Sequence, residues 1–315
     1  MNKRELVLNL LDESKSQNYF PAGFFIHFDE SYQKGQAAVD KHLEYFRYTG
    51  MDIVKIQYET VFPQLPKIKD AKDWHQMPLY KKDFYEEQLF IAESLVKEMK
   101  EEALVIMTLY SPFMCARATV GGEEQITAHI KADPDEVKRG MEIITESLLI
   151  FVKGCIEIGI DGFYASTRGA ESHRFSDPIY FKSCIKPYDL IVMNEINKSC
   201  IFNILHICDF RGKYDDLSPF LDYPGHVVSY VKELGGKETF ADEVAKMFHR
   251  PVMGGMDRKG IIVNGDKDQI TAAVYEVLKK APEKFILGAD CTLPDNVSWE
   301  NIKTAISAAH SYLKE

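Results

Sequence analysis

The segment Cys200-Ile-Phe-Asn-Ile-Leu-His206-Ile-Cys208 joins a short apolar run to two side chains that can bind a metal. Apolar runs of this length and composition are typical of a buried β-strand. A second run, Lys284-Phe-Ile-Leu-Gly288, ends just before Asp290-Cys291. The two segments therefore predict strands whose carboxyl ends carry histidine and cysteine side chains.

Strand-like and helix-like segments alternate along the chain. The pattern predicts an N-terminal helix at about 3–16 and later helices at 83–100, 135–157, 178–198, 239–249 and 266–280. It predicts eight strands, at 23–28, 52–57, 104–109, 162–165, 201–206, 226–230, 251–254 and 284–288. This alternation favours a parallel sheet, so we predict an α/β fold, a single (β/α)8 TIM barrel with an N-terminal helix.

Two long segments without strong periodicity follow the second and third predicted strands. They span 59–80 and 109–133, and we expect both to be irregular and to overhang the carboxyl ends of the strands. In a parallel barrel that rim is where active sites are built.

Length and composition fit one large domain over residues 1–315. The chain has 315 residues, of which 45% are hydrophobic and 27% charged, enough to bury a sizeable core. No stretch approaches the roughly 18 apolar residues that span a bilayer, and the first residues lack the apolar region of a signal peptide. Six scattered cysteines do not form a secreted disulfide framework, so we expect a cytoplasmic protein. The net charge of −10 argues against a nucleic-acid partner.

His206, Cys208 and Cys291 offer one imidazole and two thiolates, a donor set that suits Zn²⁺. Catalytic zinc sites keep three protein ligands and leave a fourth position open, whereas structural sites usually close with four. The sequence contains no second pair of this kind, so three ligands favour a catalytic site. The alternative is two unrelated buried cysteines and a buried histidine.

Other candidate site residues follow the predicted strands. Glu171, Asp29 and Asp257 are candidates for a general acid or a fourth metal ligand, although each could be structural. His27, Glu59 and Arg168 are candidates for substrate binding. Arg168 suits an anionic group such as a carboxylate or sulfonate, and the alternative is an exposed surface arginine.

Several segments together resemble one enzyme superfamily. They are Gly159-Ile-Asp-Gly-Phe-Tyr-Ala165, Lys186-Pro-Tyr-Asp189, the strand ending at His206, Pro251-Val-Met-Gly-Gly-Met-Asp257, Phe285-Ile-Leu-Gly-Ala-Asp-Cys-Thr-Leu-Pro-Asp-Asn296 and Glu300-Asn-Ile-Lys-Thr-Ala305. In these segments the chain resembles the uroporphyrinogen decarboxylase superfamily. The likeness is good from about residue 103 onward and loose before it.

The residues distinguish between branches of that superfamily. The decarboxylases resemble one another in an arginine-rich segment after the first strand, which binds a substrate with eight carboxylates. Here Phe24-Phe-Ile-His-Phe-Asp-Glu-Ser-Tyr-Gln33 has no arginine and adds Asp29 and Glu30, which would repel a polyanion. The cobamide-dependent methyltransferases share a His-x-Cys motif with a distant third cysteine that holds zinc, and His206, Cys208 and Cys291 match it.

The resemblance implies a zinc-dependent methyltransferase. Such an enzyme exchanges a methyl group between a corrinoid, either free cobalamin or a corrinoid protein, and a thiol or methoxy-type substrate. Cobalamin-independent methionine synthases add a glutamate near the sixth strand, where this chain has Val228-Ser-Tyr-Val231, so the fourth ligand stays open. Two alternatives remain, a tetrapyrrole decarboxylase and a catalytically silent module that binds a corrinoid protein and keeps zinc structurally.

Overall fold

The computed structural model describes residues 2–313. Its strands are β1 Ile53–Ile56, β2 Leu104–Tyr110, β3 Gly162–Thr167, β4 Ile204–Ile207, β5 Val227–Ser229, β6 Glu233–Leu234, β7 Lys237–Glu238, β8 Val252–Met256 and β9 Phe285–Ala289. Its α-helices are α1 Lys3–Leu8, α2 Gly35–Thr49, α3 Glu86–Met99, α4 Pro112–Val120, α5 Glu123–Ala132, α6 Pro134–Ile158, α7 Ile179–Cys184, α8 Lys186–Ser199, α9 Ala241–Phe248, α10 Ile261–Asn264, α11 Lys267–Lys279 and α12 Trp299–Ser311.

The main sheet is parallel and curled. It holds seven strands in the order β1-β2-β3-β4-β5-β8-β9. α-Helices lie between successive strands, except that β4 and β5 are joined through a 3₁₀ turn at Ser218–Phe220. The short hairpin β6–β7 is separate and turns at Gly235 and Gly236, both with positive φ, which suits a two-residue turn. The α/β class and the parallel sheet are confirmed, whereas the main sheet of the described residues has seven regular strands rather than the predicted eight.

The missing strand is the predicted first one, at 23–28. Only Ala22 forms a bridge, to Leu287 of β9. The Gly23 amide donates to the Leu287 carbonyl at 2.9 Å, and the Asp52 amide, just before β1, donates to the Ala22 carbonyl at 3.0 Å. Pro21 has no amide hydrogen to extend this ladder, and the Phe25 carbonyl accepts from Leu293 in a loop instead. The segment therefore lies between β9 and β1 without being a regular strand.

Two predicted helices have different bounds in the structure. The N-terminal helix, predicted at 3–16, ends at Leu8 and continues as a 3₁₀ turn to Leu11, because the Asp12 carboxylate accepts from the amide and hydroxyl of Ser14. The helix predicted at 178–198 is divided at Ile185 into α7 and α8. Pro187 explains the break, since its ring cannot donate to the preceding turn.

The two segments predicted to be irregular differ. Residues 59–80 contain only a 3₁₀ helix, Ala71–Gln76. Residues 109–133 instead form α4 and α5, so that prediction was wrong. Pro112 begins α4, and Gly121 ends it in the left-handed conformation, with φ of 94°. Helices this short give too few turns for a clear periodic pattern.

Side chains alternate between the two faces of the sheet. Those on the outer face pack against the helices in one core cluster, which includes Val54, Val105 and Leu205. Those on the inner face form a second cluster with Val7 and Leu10, around α1. The first helix therefore closes one end of the curled sheet, and the inner face at the other end is left for polar residues. Among the described residues, no helix is both long and apolar enough to cross a bilayer.

Candidate metal centre

His206, Cys208 and Cys291 converge at the carboxyl ends of β4 and β9. Their candidate ligand atoms all lie within 4.8 Å of one another, and all three residues are buried. The Sγ atoms of Cys208 and Cys291 are 3.9 Å apart, and Cys291 Sγ lies 3.5 Å from Nε2 of His206. The sheet therefore brings together residues that are 85 positions apart in the chain.

The spacing of these atoms fits a tetrahedral zinc ion. With zinc–sulfur bonds of about 2.3 Å and a zinc–nitrogen bond of about 2.0 Å, two sulfurs of a tetrahedron lie about 3.8 Å apart. A sulfur and a nitrogen then lie about 3.5 Å apart. The observed Cys208–Cys291 distance of 3.9 Å and Cys291–His206 distance of 3.5 Å match these two edges, and the ligand atoms of Cys208 and His206 lie within 4.8 Å of each other. Among the described residues, the cluster contains no fourth histidine, cysteine or carboxylate.

The ring of His206 is oriented by its neighbours on the inner face. His206 pairs with Ser229 of β5, and its Nδ1 lies 3.1 Å from the Ser229 hydroxyl. If Nε2 binds a metal, Nδ1 carries the proton and donates to Ser229. The Tyr164 ring stacks on the imidazole with centroids 4.8 Å apart, and its hydroxyl lies 3.2 Å from that of Ser229. These contacts direct Nε2 at the two sulfur atoms.

The two thiols perturb each other's pKa in opposite directions. The hydrogen bond from Cys291 lowers the pKa of Cys208 well below its usual value, and the nearby His206 ring lowers it further. The same sulfur contact, together with burial, raises the pKa of Cys291 well above its usual value. Cysteine binds metals as the thiolate, so a cation bound at this cluster would displace any thiol proton held there.

An arginine holds the two ligand loops together. Asp209 follows Cys208 and Asp290 precedes Cys291, and the Arg258 guanidinium forms ion pairs with both carboxylates. The Arg258 amide also donates to Asp290 at 2.7 Å. Burial raises the pKa of Asp290, an effect that the neighbouring Arg258 opposes. This bridge fixes the spacing between the loops that carry the sulfur ligands.

A cavity of about 570 Å³ opens above the three ligands. Its floor is formed by inner-face residues from the ends of several strands, among them Lys55, Thr108, Ser166 and Cys291. Its walls come from both segments that were predicted to overhang the rim: Val61 and Phe62 from one, and Met114 and Arg117 from the other. The predicted placement of these segments is therefore confirmed.

Comparison with known proteins identifies the family. The model for uroporphyrinogen decarboxylase (URO-D) matches residues 28–312. The chain belongs to the URO-D family. This confirms the resemblance found in the sequence, and the match extends back to residue 28, into the part of the chain where the likeness was loose.

Solved structures show the same fold. A methyltransferase from Methanosarcina mazei superposes with a TM-score of 0.78 at 14% identity, over 98% of each chain. A putative vitamin-B12 independent methionine synthase from Listeria monocytogenes gives 0.56 at 12% identity, over 88% of this chain and 86% of that one. A B12-independent methionine synthase from Shewanella sp. W3-18-1 gives 0.52 at 12% identity, over 93% and 94%. A comparison with curated protein sequences gives no significant match.

The cavity of this URO-D family chain is more basic than its sequence indicated. The segment after Gly23 lacks arginine, but Arg117, Arg168, Arg211 and Arg258 line the cavity from four other loops and helices. Arg168 is 2% exposed, and its Nη2 has no hydrogen-bond partner among the described residues. The absence of an arginine-rich segment near the first strand therefore does not make the site unfavourable to anions.

Glu171 belongs to a buried ion-pair network beside the cavity. Its carboxylate accepts from Arg174 Nε at 2.6 Å and from the Gly169 amide at 3.0 Å, and it lies 3.3 Å from Arg168 Nε. Glu123 of α5 pairs with both arginines at 2.8 and 2.7 Å. The carboxylate of Glu171 does not line the cavity, so this arrangement favours a structural role over the predicted catalytic one.

The remaining predicted residues are spread around the rim. His27 lines the cavity, and its Nδ1 lies 2.9 Å from a carboxylate oxygen of Glu59. Asp29 is exposed and accepts from the amide and hydroxyl of Ser31. Asp257 is exposed and accepts from the Lys259 amide, beside a different depression. The structure thus brings His27 and Arg168 into the cavity with the three ligands and places Asp29 and Asp257 outside it.

Several residues of the site carry no signal in the sequence. Lys55, Tyr164 and Ser229 face the ligands only because of their position on the inner face of neighbouring strands. Arg258 was not identified either, although the aspartates next to Cys208 and Cys291 gave an indirect indication of a cationic partner. Their identification needs the register of the sheet.

Proposed function

We propose that this protein is a zinc-dependent methyltransferase that exchanges a methyl group between a corrinoid and a thiol or methoxy-type substrate. The observation that carries the proposal is the set of three buried donor atoms at the floor of a cavity, with two of their separations at tetrahedral spacing. With no fourth protein donor among the described residues, one position is open to a reactant. This arrangement also argues against the silent module, whose zinc should be closed by four ligands.

The chain would hold the metal through Cys208, Cys291 and His206. When bound, zinc would lower the pKa of a substrate thiol, or act as a Lewis acid toward a methoxy-type substrate. Ser229 keeps the His206 ring in place, and Arg258 keeps the two sulfur-bearing loops at a fixed distance. The structural similarity supports the proposal, since the solved structures with this fold include a methyltransferase and methionine synthases.

The mouth of the cavity suits a large methyl carrier. Val61 and Phe210 line the cavity and remain 55% and 59% exposed, so an apolar edge extends from the cavity to the surface. We propose that free cobalamin or a corrinoid protein approaches over this edge, because the methyl group must come into line with the reactant on the metal.

The substrate would be positioned by residues of the wall. Arg168 carries a buried guanidinium nitrogen with no partner in the described chain, so we propose that it binds an anionic group such as a carboxylate or sulfonate. The His27–Glu59 pair would contact the substrate nearer the mouth. Catalytic roles for Glu171, Asp29 and Asp257 remain predictions that the observed contacts do not favour.

We also propose that residues 21–25 complete the barrel over the single domain 1–315. Hydrogen bonds from this segment reach both edges of the sheet, at Leu287 and Asp52. A closed barrel would separate the inner cavity from the helices and keep the metal ligands on one rim.

The test is a metal and activity measurement on cysteine variants. Purified parent protein should contain about one zinc ion per chain and transfer a methyl group between methylcobalamin and a simple thiol such as 2-mercaptoethanol. C208A and C291A should each lose zinc and methyl transfer, because each removes one of three ligands. C200A is the matched control, since Cys200 is buried but lies outside the cluster, and it should keep both properties.

The folds of all variants should remain intact by circular dichroism, because the ligands lie at the rim. A C208A protein that keeps its zinc and transfers methyl groups at the parent rate would show that this cluster is not the reaction centre.

A tetrapyrrole decarboxylase is the second candidate, and the basic cavity favours it. Arg117, Arg168 and Arg211 on the wall could attract a polycarboxylate substrate. Two thiolates at tetrahedral spacing have no role in such a reaction, so we expect the purified protein not to release CO₂ from uroporphyrinogen. Release at a rate typical of enzymes, unchanged in C208A, would reverse the ranking.

A further inference from the structure

Lys55 is a buried cation on the floor of the cavity. It lies on β1 and faces inward, with 7% of the residue exposed. Its ammonium group donates a hydrogen bond to Oε1 of Gln57 and lies 4.7 Å from the ring centre of Phe25 and 5.1 Å from that of Tyr164. A lysine in such a position is rare unless an opposite charge compensates it.

No carboxylate in the described chain forms an ion pair with Lys55. Arg168 and Arg258, the buried arginines nearby, each have acidic partners. Burial lowers the pKa of Lys55 to about 7, while the charges of Cys291 and Glu59 act in the opposite direction. A methionine would occupy the same space without the cost of burying a charge. Lys55 is therefore a buried ammonium group without a carboxylate partner of its own among the described residues.

The ammonium group lies close to the metal ligands. The Tyr164 ring that it contacts is stacked on His206 at 4.8 Å. Lys55 and Cys291 both line the cavity. Lys55 and the ligand cluster thus both lie on the floor of the cavity, and the Tyr164 ring contacts both the ammonium group and the imidazole.

The net charge of the zinc-bound site indicates which negative charge Lys55 would compensate. Zn²⁺ with two thiolates and a neutral imidazole has no net charge, and a third thiolate would give the buried group a charge of −1. Such a charge is costly in a medium of low dielectric constant unless a cation is close. We propose that Lys55 is the counter-cation for a substrate that binds the open position as a thiolate. This inference rests on the proposed function, since it takes zinc and a thiol as given.

The binding step exchanges no electrons. A sulfur–metal bond forms, the thiol S–H bond breaks, and the proton leaves to the solvent. Lys55 makes no bond to the reacting atoms. It is a positioning residue that acts through its charge, and its effect should be confined to ligands that arrive as anions.

Cobalt substitution tests this directly, because Co²⁺ bound by thiolates shows a sulfur-to-metal charge-transfer absorption. Parent, K55M and K55R proteins are loaded with Co²⁺ and titrated with 2-mercaptoethanol, and the added absorption reports the third thiolate. K55M should require at least about tenfold more thiol for half-saturation, whereas K55R should stay close to the parent. All three should take up Co²⁺ with the absorption of two thiolates. K55M should also fold, because it removes a buried charge.

Imidazole is the control ligand, since it binds metals without a charge. It should bind K55M and the parent equally. The inference is overturned if the thiol binds all three proteins equally, if K55R is as weak as K55M, or if imidazole is weakened as much as the thiol. Parent protein without a two-thiolate absorption would instead overturn the metal site itself, and with it the proposed function.

Discussion

Asp189 is a buried carboxyl group that joins helix α8 to the end of β3. Its Oδ2 accepts from the Thr167 hydroxyl at 2.6 Å and from the Tyr223 hydroxyl at 3.1 Å. Complete burial nevertheless raises its pKa to about 7. In the unfolded chain the pKa is about 3.9, so between these values the folded protein holds a proton that the unfolded chain has released. The contribution of Asp189 to stability therefore falls as pH rises from about 4 to above 7.

D189N should remove this dependence, because its amide resembles the protonated acid. Relative to the parent, the free energy of unfolding of D189N should rise by about 2–3 kcal/mol between pH 5 and pH 8. Urea unfolding at both pH values measures the difference. D268N, at an exposed position, is the control and should show little change. A parent–D189N difference that does not vary with pH would contradict the assignment.

At the level of single residues, local patterns predicted the ligands but not their surroundings. His206, Cys208 and Cys291 could be identified because soft donors at strand ends are visible in sequence. Lys55 could not be identified, since a lysine in a strand is expected to be exposed unless the register of the sheet places it on the inner face. The metal itself remains a prediction, and the structure contributes the distances that fit it.

Gly162, the first residue of β3, packs tightly against the backbone just before β4. A Cβ atom placed on Gly162 would lie 1.6 Å from the carbonyl oxygen of Phe202, a backbone atom that cannot move without breaking the strand pairing. The pair also carries Tyr164 and His206, so the approach sets the geometry of the site.

G162A should lower the free energy of unfolding by about 3 kcal/mol or more, since the overlap is with backbone. Urea unfolding at pH 7 measures this. G23A is the control, because its nearest neighbour is a ring carbon of Phe25 at 3.3 Å, and it should cost about 1 kcal/mol. An equal loss of unfolding free energy in G162A and G23A would show that the backbone around Gly162 adjusts easily to the added methyl group.

At the level of elements, the sequence predicted seven of the sheet strands and the order of most helices. Errors arose where non-local contacts decide. Residues 23–28 have the composition of a strand, but the ladder with β9 stops at Gly23, and the Phe25 carbonyl accepts from Leu293 in a loop instead. Helices α4 and α5 are each too short to show a periodic pattern, and Pro187 divides a helix that looked continuous.

At the scale of the whole molecule, an ion pair of Arg4 joins α1 to the end of the sheet opposite the candidate metal ligands. Its guanidinium donates to both carboxylate oxygens of Asp161, at 2.6 and 2.7 Å, and Asp161 is 2% exposed. The same carboxylate accepts from the Val105 amide at 2.9 Å. One ion pair thus links the first helix to β2 and β3.

R4A should destabilise the protein by about 2–4 kcal/mol, because it leaves a buried carboxylate without its main partner. R4K should have a free energy of unfolding between those of R4A and the parent, because it keeps the charge but loses the bidentate contact. The double variant R4A/D161N should recover much of the loss, which urea unfolding of the parent, R4A, D161N and the double variant would show. If the losses of unfolding free energy in R4A and D161N simply add in the double variant, the two residues contribute only through packing.

The segment that lies between β9 and β1, residues 21–25, also affects how the chain folds during synthesis. Gln17, just before that segment, bonds to Phe285, a partner 268 positions away. During synthesis the early residues cannot make this contact until Phe285 has emerged from the ribosome. Cys291 emerges only a few residues after Phe285. A nascent chain therefore gains the contact that joins the edges of its sheet and the third candidate metal ligand almost together.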